Sequence, residues 1–279
     1  MSTQPQREQM YVLGSDPREL ARLDRQAAWL EPATRLLLQA AGLKSGLRVL
    51  DLGTGLGHVA RLAGDLVGPS GSVVGIDRAV EALAVARQRA EAHGDHHVSF
   101  VEGEVGHWRA NAPFDAVVGR LVLFHLADPV TAVRHHLADL ADGGVFVAID
   151  FDLGAARTEP RVDLISEGLD WVVRAFSAGG AFPTIGAHLG PILRQAGLEA
   201  VTTFGIQGYL AADDPTGPSL LGGVVRSLAD PIVKYGIATA EQLDLATLED
   251  RIAGGLRRAR AVLLPPTLVG AWGRRSSVK

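Results

Sequence analysis

The sequence predicts an α/β protein with a doubly wound, mostly parallel sheet, and two observations lead to this fold class. Short apolar runs alternate with helical segments from residue 47 to residue 150. Runs such as 145–149 are apolar at every position, which is typical of strands covered by helices on both faces. Short connections between alternating strands and helices favour parallel neighbours in one sheet.

The core of this fold is predicted between residues 46 and 150. Turn residues at 69–71 and 142–144 separate its elements. The strands are expected at 47–52, 72–77, 97–102, 114–119 and 144–150, with helices near 57–67, 79–93 and 127–141.

The segments on both sides of the core are predicted to be largely helical. Two helices are expected before the first strand, one from Pro17 after an N-cap at Asp16 and one from Pro32 to the glycine at 42. They would form a helical N-terminal cap, residues 1–45, on a domain of residues 46–279. The later elements are helices at 160–178 and 187–196, a strand at 199–207, a mostly helical stretch at 211–260 and a closing strand at 267–272. Segments of about 155–195 and 211–260 are therefore helical insertions after the fifth strand, on the substrate side.

Composition narrows the classes of partner. The 279 residues carry 27 Lys and Arg against 31 Asp and Glu, a net charge of −4, so no broad basic surface favours nucleic acid. Cysteine is absent, which excludes disulfides and thiolate chemistry. Residues 1–10 are polar, and no apolar run reaches the roughly 18–20 residues that span a bilayer. We expect a cytoplasmic protein with no membrane partner, and a homo-oligomer is compatible with the sequence.

A glycine-rich loop follows the first predicted strand. The segment 49–57 reads Val-Leu-Asp-Leu-Gly-Thr-Gly-Leu-Gly and leads from a strand into a helix. Glycines at this point let the backbone approach a ligand closely. The third glycine is Gly57, whereas the dinucleotide fingerprint would place it at 58, where the chain has His58. No Lys-Ser/Thr pair follows, so the loop is not a P-loop.

With Asp51 before the loop and Asp77 ending the next strand, 20 residues after Gly57, the sequence resembles the class I S-adenosylmethionine-dependent methyltransferases. The resemblance covers about residues 47–150, a Rossmann-like fold in that family. It also includes the segment 101–105 around Glu104 and the segment 114–120 around the fourth strand. Alone, the glycines would also fit a tight turn, and Asp77 an N-cap; their joint order favours the cofactor.

The resemblance implies S-adenosyl-L-methionine as cofactor. Asp77 would accept hydrogen bonds from both ribose hydroxyls, since one carboxylate has two acceptor oxygens, and we expect it to be solvated at the open strand end. Glu104 would lie near the adenine amino group, although a solvated loop acid is the alternative. Asp51 either holds the glycine loop or faces the cofactor ammonium. The implied cofactor-binding residues are Asp51, Gly53, Thr54, Gly55, Gly57, Asp77, Arg78, Glu104, Val105 and Arg120.

His125 is the candidate catalytic residue, a general base at the tip of the fourth strand. The alternative is a histidine bonded to nearby backbone. Arg120 would bind an anionic group or make a structural ion pair. His93, His96, His97, His135 and His136 are expected at the surface.

We expect no metal. Metal-dependent catechol-type members of the family place an Asp after the fourth strand, where this chain has Gly119 and Arg120. Asp150 and Asp152 alternate onto one strand face and would suit a hard cation, or they are acids of a turn.

The acceptor site must come from outside the core. Tyr11 in the N-terminal segment and Trp171 and Phe176 in the first helical insertion are the predicted substrate-binding residues, with helix core as the alternative for the last two.

The function that the sequence predicts is methyl transfer to a small organic molecule, of the kind found in bacterial specialised metabolism. One alternative is a cyclase or isomerase that keeps the cofactor on the same fold. Others are a nucleic-acid or protein methyltransferase and a non-catalytic binding module. An NAD-dependent oxidoreductase is opposed by His58 and by the lack of a recognisable catalytic Tyr-x-x-x-Lys.

Overall fold

The computed structural model describes residues 17–276, so the predicted N-cap Asp16 and Tyr11 lie outside the described residues. Its strands are β1 Arg48–Leu52, β2 Ser72–Asp77, β3 Val98–Glu102, β4 Phe114–Arg120, β5 Leu140–Asp152, β6 Arg157–Glu159, β7 Glu199–Ile206, β8 Val262–Leu264 and β9 Thr267–Arg274. Its helices are α1 Pro17–Ala40, α2 His58–Val67, α3 Val80–His93, α4 Pro129–His136, α5 Asp163–Ala178, α6 Leu189–Ala196, α7 Thr216–Ser227, α8 Ala229–Lys234, α9 Ala240–Leu243 and α10 Leu248–Ala259.

Seven strands form one sheet in the order β3-β2-β1-β4-β5-β9-β7. The first five are parallel, while β9 runs antiparallel to both β5 and β7. The predicted fold class, a doubly wound and mostly parallel sheet, is confirmed. Because β1 to β5 are parallel, the carboxyl ends of these strands meet at one edge of the sheet, the position at which such folds bind ligands.

Alternating side chains of the sheet pack into two apolar cores, one on each face. Val49 and Val118 belong to one core, and Leu50 and Val117 belong to the other. Helix α1 adds Leu30, Leu37 and Leu38 to the first core, so it packs on the sheet itself. A third core lies among α5, α7, α8 and α10, the helical insertions that follow β5. The division into a cap of 1–45 and a domain of 46–279 stays a prediction.

The prediction of two separate helices before the first strand is wrong, since α1 is continuous through Pro32. A proline inside a helix removes the hydrogen bond to the carbonyl four residues earlier, here that of Ala28. Both residues are exposed, so water can bond that carbonyl. The apolar face that packs on the sheet therefore stays intact on either side of the proline.

Two smaller differences concern β5 and the short strands. The expected helix 127–141 ends as α4 at His136, and β5 begins at Leu140, four residues before its expected start. Its first residues pass through the expected turn at 142–144, and the pairing with β4 shifts register between Phe114 and Ala116. The pair β6 and β8 was not expected, because three-residue strands carry too little periodicity. None of the described helices has the length and apolar character that crossing a membrane requires.

Candidate active site

The glycine loop leaves β1 in backbone conformations that favour glycine. Gly53 has a φ of 61° and Gly57 a φ of 79°. A Cβ at Gly53 would lie 2.7 Å from Val122, and one at Gly57 would lie 2.9 Å from Phe100. Side chains are therefore excluded here both by backbone strain and by close packing. The loop lies directly against the segment after β4 and against β3.

Asp77 connects this loop to the end of β2. Its Oδ2 accepts the N–H of Gly55 at 2.8 Å, and its Oδ1 accepts the N–H of Ala79 at 2.9 Å. The side chain is 5% exposed, so the expectation of a solvated carboxylate is wrong. The reason is that the loop folds back over the strand end. Each oxygen still has a lone pair for another donor, and Asp77 lines a cavity at this edge of the sheet.

Asp51 lies beneath the loop and is 1% exposed. The Thr54 hydroxyl donates to its Oδ2 at 2.6 Å, so the structure supports the loop-holding alternative for Asp51. Burial raises the pKa of Asp51 to about 7, against the opposing effects of the Thr54 hydrogen bond and the Arg120 charge. At neutral pH the carboxyl is thus poised between its two protonation states.

Arg120 ends β4 and is directed to α1. Its Nη1 donates to the Thr34 hydroxyl at 3.0 Å, and that hydroxyl donates to the carbonyl of Leu30 at 2.8 Å. Burial lowers the pKa of Arg120 to about 10, so it remains charged at pH 7. Arg120 lines neither of the two cavities at this edge of the sheet, and its contacts favour a structural role.

His58, in the position of the missing dinucleotide glycine, also bonds α1. Its Nε2 lies 3.1 Å from Asp24 Oδ1, and Arg89 of α3 donates to both Asp24 oxygens at 2.8 and 2.9 Å. Burial, followed by the Arg89 charge, lowers the pKa of His58 to about 4. His58 is therefore neutral at pH 7, and the cluster fixes α1 over the start of α2.

The smaller of two cavities at the sheet edge is lined by much of the predicted cofactor site. The lining residues from that prediction are Gly53, Asp77, Arg78, Glu104 and Val105, joined by His125 and Phe176. The Glu104 carboxylate is exposed and lies 3.3 Å from the His107 imidazole. The remaining predicted residues, Asp51, Thr54, Gly55, Gly57 and Arg120, support the loop or α1 and do not line this cavity.

His125 ends the 3-10 turn Leu123–His125 that follows β4. Its ring lies 4.7 Å, centroid to centroid, from the ring of Phe124 in an edge-to-face contact. Burial and then the positive charge of Arg78 lower the pKa of His125 to about 4. The imidazole is consequently neutral at pH 7 and is a weaker base than an ordinary histidine. Its role as a general base stays a prediction.

The second cavity is large, about 850 Å³, and is mostly apolar. It lies between α1, the carboxyl end of β5, and the helices α5, α7 and α8. Leu121, His125 and Phe176 line both cavities, so these three residues form the place where the two cavities meet. We call this place the junction. Phe176 of α5 packs edge-to-face on Phe124, with centroids 4.8 Å apart.

Of the predicted substrate-binding residues, one lines the cavities and another does not. Phe176 lines both cavities, in keeping with its prediction. Trp171 is 7% exposed in the third core and is not among the lining residues, so the geometry favours its alternative as helix core.

The expectation of surface histidines is wrong for His136, which is fully buried. Its Nε2 accepts the N–H of Gly106 at 3.1 Å, and its Nδ1 lies 2.8 Å from Asp139 Oδ2. Burial lowers its pKa to about 4 despite that carboxylate. His135, His136 and Asp139 are the described residues grouped closely enough to hold a metal ion. Because both His136 nitrogens are already bonded, the cluster instead ties the loop after β3 to α4.

Asp150 and Asp152, the other candidate cation ligands, each bond backbone. Asp150 accepts the N–H groups of Phe124 and Phe151, and Asp152 accepts that of Gly154 at 3.1 Å. The expectation that no metal is used stays a prediction.

The comparisons with known proteins show the family of the chain. A family model described as a methyltransferase domain matches residues 43–196, more than half of the chain. The chain belongs to the methyltransferase-domain family. The predicted family, the class I S-adenosylmethionine-dependent methyltransferases, is thereby confirmed, together with the predicted enzyme class and S-adenosyl-L-methionine at the level of the family.

Individual relatives of this methyltransferase are distant. It is 35% identical over 115 residues to an arsenite methyltransferase of Aquipseudomonas alcaligenes, covering 38% of the chain and 33% of the relative. It is 31% identical over 138 residues to a ubiquinone/menaquinone biosynthesis C-methyltransferase of Pseudomonas paraeruginosa, covering 49% and 52%. The chain thus spans about a third and about half of the length of these curated relatives.

Among solved structures, phosphoethanolamine N-methyltransferase 2 of Haemonchus contortus, in complex with S-adenosyl-L-methionine, superposes with a TM-score of 0.56 at 18% identity. The match covers 88% of this methyltransferase and 53% of that chain, and it shows a shared fold.

Several lining residues of this methyltransferase were missed by sequence reasoning. Leu121, at a φ of 56°, and Val122 lie just after β4, and residues 179–181 lie after α5. The adjacent glycines 179 and 180 are a turn signal that sequence reasoning could have used. The N–H of Phe182 donates to the carbonyl of Phe124 at 3.0 Å, which holds this second loop against the turn that carries His125.

Proposed function

We propose that the protein transfers a methyl group from S-adenosyl-L-methionine to a small organic molecule, in specialised metabolism. The observation that carries this proposal is the junction. A smaller cavity lined by Gly53 of the glycine loop and by Asp77 meets a larger, mostly apolar cavity at Leu121, His125 and Phe176. Such an arrangement suits a reaction in which a group passes from one bound molecule to another.

The residues around the smaller cavity fit the proposed cofactor. A carboxylate with two spare lone pairs, Asp77, suits a vicinal diol, and the glycine loop leaves backbone in place of side chains at Gly53. Glu104, which also lines this cavity, suits an amino group as a hydrogen-bond donor. When bound, the cofactor supplies a methyl group that its sulfonium already activates.

The chain's own task is then to align the acceptor and exclude water. Leu121 and Phe176 provide apolar walls at the junction, and the neutral His125 ring is the polar side chain that lines it. We assign His125 the role of orienting the acceptor's reacting group. Aligning a nucleophile in this way replaces much of the entropy that a collision in solution would cost.

Calorimetry with S-adenosylhomocysteine and with NAD is the first test. We expect binding of S-adenosylhomocysteine and none of NAD, and the reverse result would refute the proposal. Metabolite extract incubated with methyl-labelled cofactor should then yield a labelled product by mass spectrometry, together with S-adenosylhomocysteine. Conversion of a metabolite without release of S-adenosylhomocysteine would instead indicate an enzyme that retains its cofactor.

A further inference from the structure

The larger cavity contains a buried carboxyl group, Asp150. Neither the proposed cofactor site nor the proposed alignment of the acceptor uses this group. It lies near the end of β5, is 1% exposed and lines the cavity. Its Oδ2 accepts the N–H of Phe124 at 3.1 Å, and its Oδ1 accepts the N–H of Phe151 at 3.2 Å. No ion pair among residues 17–276 includes Asp150, and no nearby cation contributes to its pKa. Each of its oxygens retains a lone pair.

Hydrogen bonds to backbone groups hold Asp150 and the residue before it close to the junction. Its bond to Phe124 fixes it against the 3-10 turn that ends in His125. The residue before it, Ile149, accepts the N–H of Leu121 at 2.8 Å. Of the three junction residues, His125 therefore follows the residue that bonds Asp150, and Leu121 bonds the residue before Asp150. A polar group of a ligand that bonds Asp150 would lie near the place where the cavities meet.

Most of the surrounding wall is apolar. Side chains from α1, β5, α5 and α7 contribute, among them Trp29, Phe151, Leu169, Val172, Leu220 and Val224. A volume of about 850 Å³ suits a ligand larger than a few heavy atoms. The other charged side chains of the wall, Glu19, Arg22, Asp230 and Lys234, lie on α1 and α8 and are each at least partly exposed. Within residues 17–276, Asp150 is therefore the buried acid in the wall of this cavity.

The protonation behaviour of Asp150 suits a proton acceptor. Burial raises its pKa to about 7, while the two backbone hydrogen bonds oppose that rise. A base with a pKa near the working pH is the most effective in proton transfer. His125, with a pKa of about 4, holds a proton much less readily. The titratable or charged groups that share the cavity with Asp150 are His125, Glu19, Arg22, Asp230, Lys234 and Tyr235.

We propose that the larger cavity binds an apolar, ring-containing phenol whose hydroxyl donates to Asp150, and that Asp150 takes the hydroxyl proton. The inference rests on the proposed function. The phenol oxygen gives its proton to a carboxylate oxygen of Asp150 and uses an electron pair to bond the methyl carbon. The carbon–sulfur bond breaks with its pair on sulfur, which leaves an aryl methyl ether and S-adenosylhomocysteine. Asp150 then releases the proton to solvent.

A phenol fits this carboxyl better than an aliphatic alcohol does. A phenolic hydroxyl has a pKa of about 10, close enough to that of Asp150 for transfer during turnover. An aliphatic hydroxyl has an acidity near that of water, which is too weak for this base.

The test compares 2-naphthol with its methyl ether, 2-methoxynaphthalene, as probes of protein saturated with S-adenosylhomocysteine. Binding is measured by calorimetry for the wild type, Asp150→Asn and the control Asp152→Asn. Asp152 is two residues along the same strand, also bonds a backbone N–H, and does not line the cavity. We expect Asp150→Asn to bind 2-naphthol about 10- to 100-fold more weakly, since a hydrogen bond to a charged acceptor is lost. Binding of the ether should change less than threefold, and Asp152→Asn should behave as the wild type.

Two results would overturn the proposal: an unchanged ratio of the two affinities in Asp150→Asn, or no binding of either probe by the wild type. Val224→Trp is a second variant that fills the cavity and leaves Asp150 in place. It should lose both probes and keep S-adenosylhomocysteine, and retention of both probes would also contradict the inference. Failure of the wild type to bind S-adenosylhomocysteine would refute the proposed function itself, a result distinct from these.

Discussion

Replacing Asp77 by Ala tests the proposed cofactor site most directly. The carboxylate holds two backbone N–H groups, those of Gly55 and Ala79, and lines the smaller cavity with its remaining lone pairs free. The substitution therefore removes structural bonds and proposed ligand bonds together. The two effects are measured separately, one as stability without ligand and one as the affinity of the folded variant.

The expected magnitudes follow from the bonds involved. Two hydrogen bonds from ribose hydroxyls to a charged acceptor contribute about 1.5–3 kcal/mol each before competition with water. We expect a net loss of about 2–4 kcal/mol in cofactor binding, or about 30- to 1,000-fold in affinity. Leaving the N–H groups of Gly55 and Ala79 without their acceptor should lower the free energy of unfolding by about 2–4 kcal/mol as well.

The assay is calorimetric titration with S-adenosylhomocysteine at a temperature where circular dichroism shows the variant folded. Asp115→Ala is the matched control, because Asp115 also accepts a backbone N–H, that of Arg48 at 2.8 Å, at the opposite end of the sheet. It should lose some stability and keep cofactor affinity within threefold. A folded Asp77→Ala that binds S-adenosylhomocysteine within threefold of the wild type would refute the ribose-binding role.

Four further predictions concern other parts of the site. Asp150→Asn should gain stability relative to the wild type as the pH rises from about 4 to 7, by up to about 1.4 kcal/mol per pH unit in urea unfolding. The reason is that burial raises the pKa of this carboxyl to about 7 in the folded state, whereas in the unfolded chain it ionises at about pH 4. The wild type therefore loses stability as the pH rises between these two values, and parallel pH curves of the two proteins would contradict this. His125→Ala should lower methyl transfer about 100-fold with S-adenosylhomocysteine affinity unchanged, and turnover within threefold would refute an orienting role. Gly57→Ala should lower the free energy of unfolding by about 1–3 kcal/mol more than Gly94→Ala in thermal unfolding, since both have a positive φ but only the first places a Cβ 2.9 Å from Phe100; equal losses would contradict this. Methyl transfer should survive EDTA, and loss restored by magnesium would show a metal requirement.

The features that sequence reasoning predicted are local in the chain. The strand before the glycine loop, the loop itself and the acid that ends β2 lie within one βαβ unit, and their spacing is set by that unit. Strands covered on both faces are apolar at every position, so their existence could be predicted, and their bounds differ by few residues except in β5.

The features that it missed depend on contacts between distant segments. Pro32 suggested a break, but whether a helix tolerates a proline depends on solvent around the freed carbonyl and on packing of its other face. His136 looks like a surface residue of a short helix, yet it is buried because the loop after β3 folds over it and donates the Gly106 N–H. Neither the continuity of α1 through Pro32 nor the burial of His136 can be predicted from the residues adjacent in the sequence.

The proposed role of Asp150 could not be predicted from the sequence for the same reason. In the sequence it is one of two alternating acids at a strand end, a pattern that equally suits a cation site or a turn. What favours the proposed base is the surroundings of the carboxyl: two backbone donors, no paired cation within residues 17–276, and an apolar wall formed by α1, α5 and α7 from distant parts of the chain. An acid with a nearby cation would be held ionised at neutral pH, whereas burial without one raises the pKa to about 7 and makes proton uptake accessible. The acceptor chemistry that we propose for this methyltransferase therefore depends on the helical insertions as much as on the strand that carries the acid.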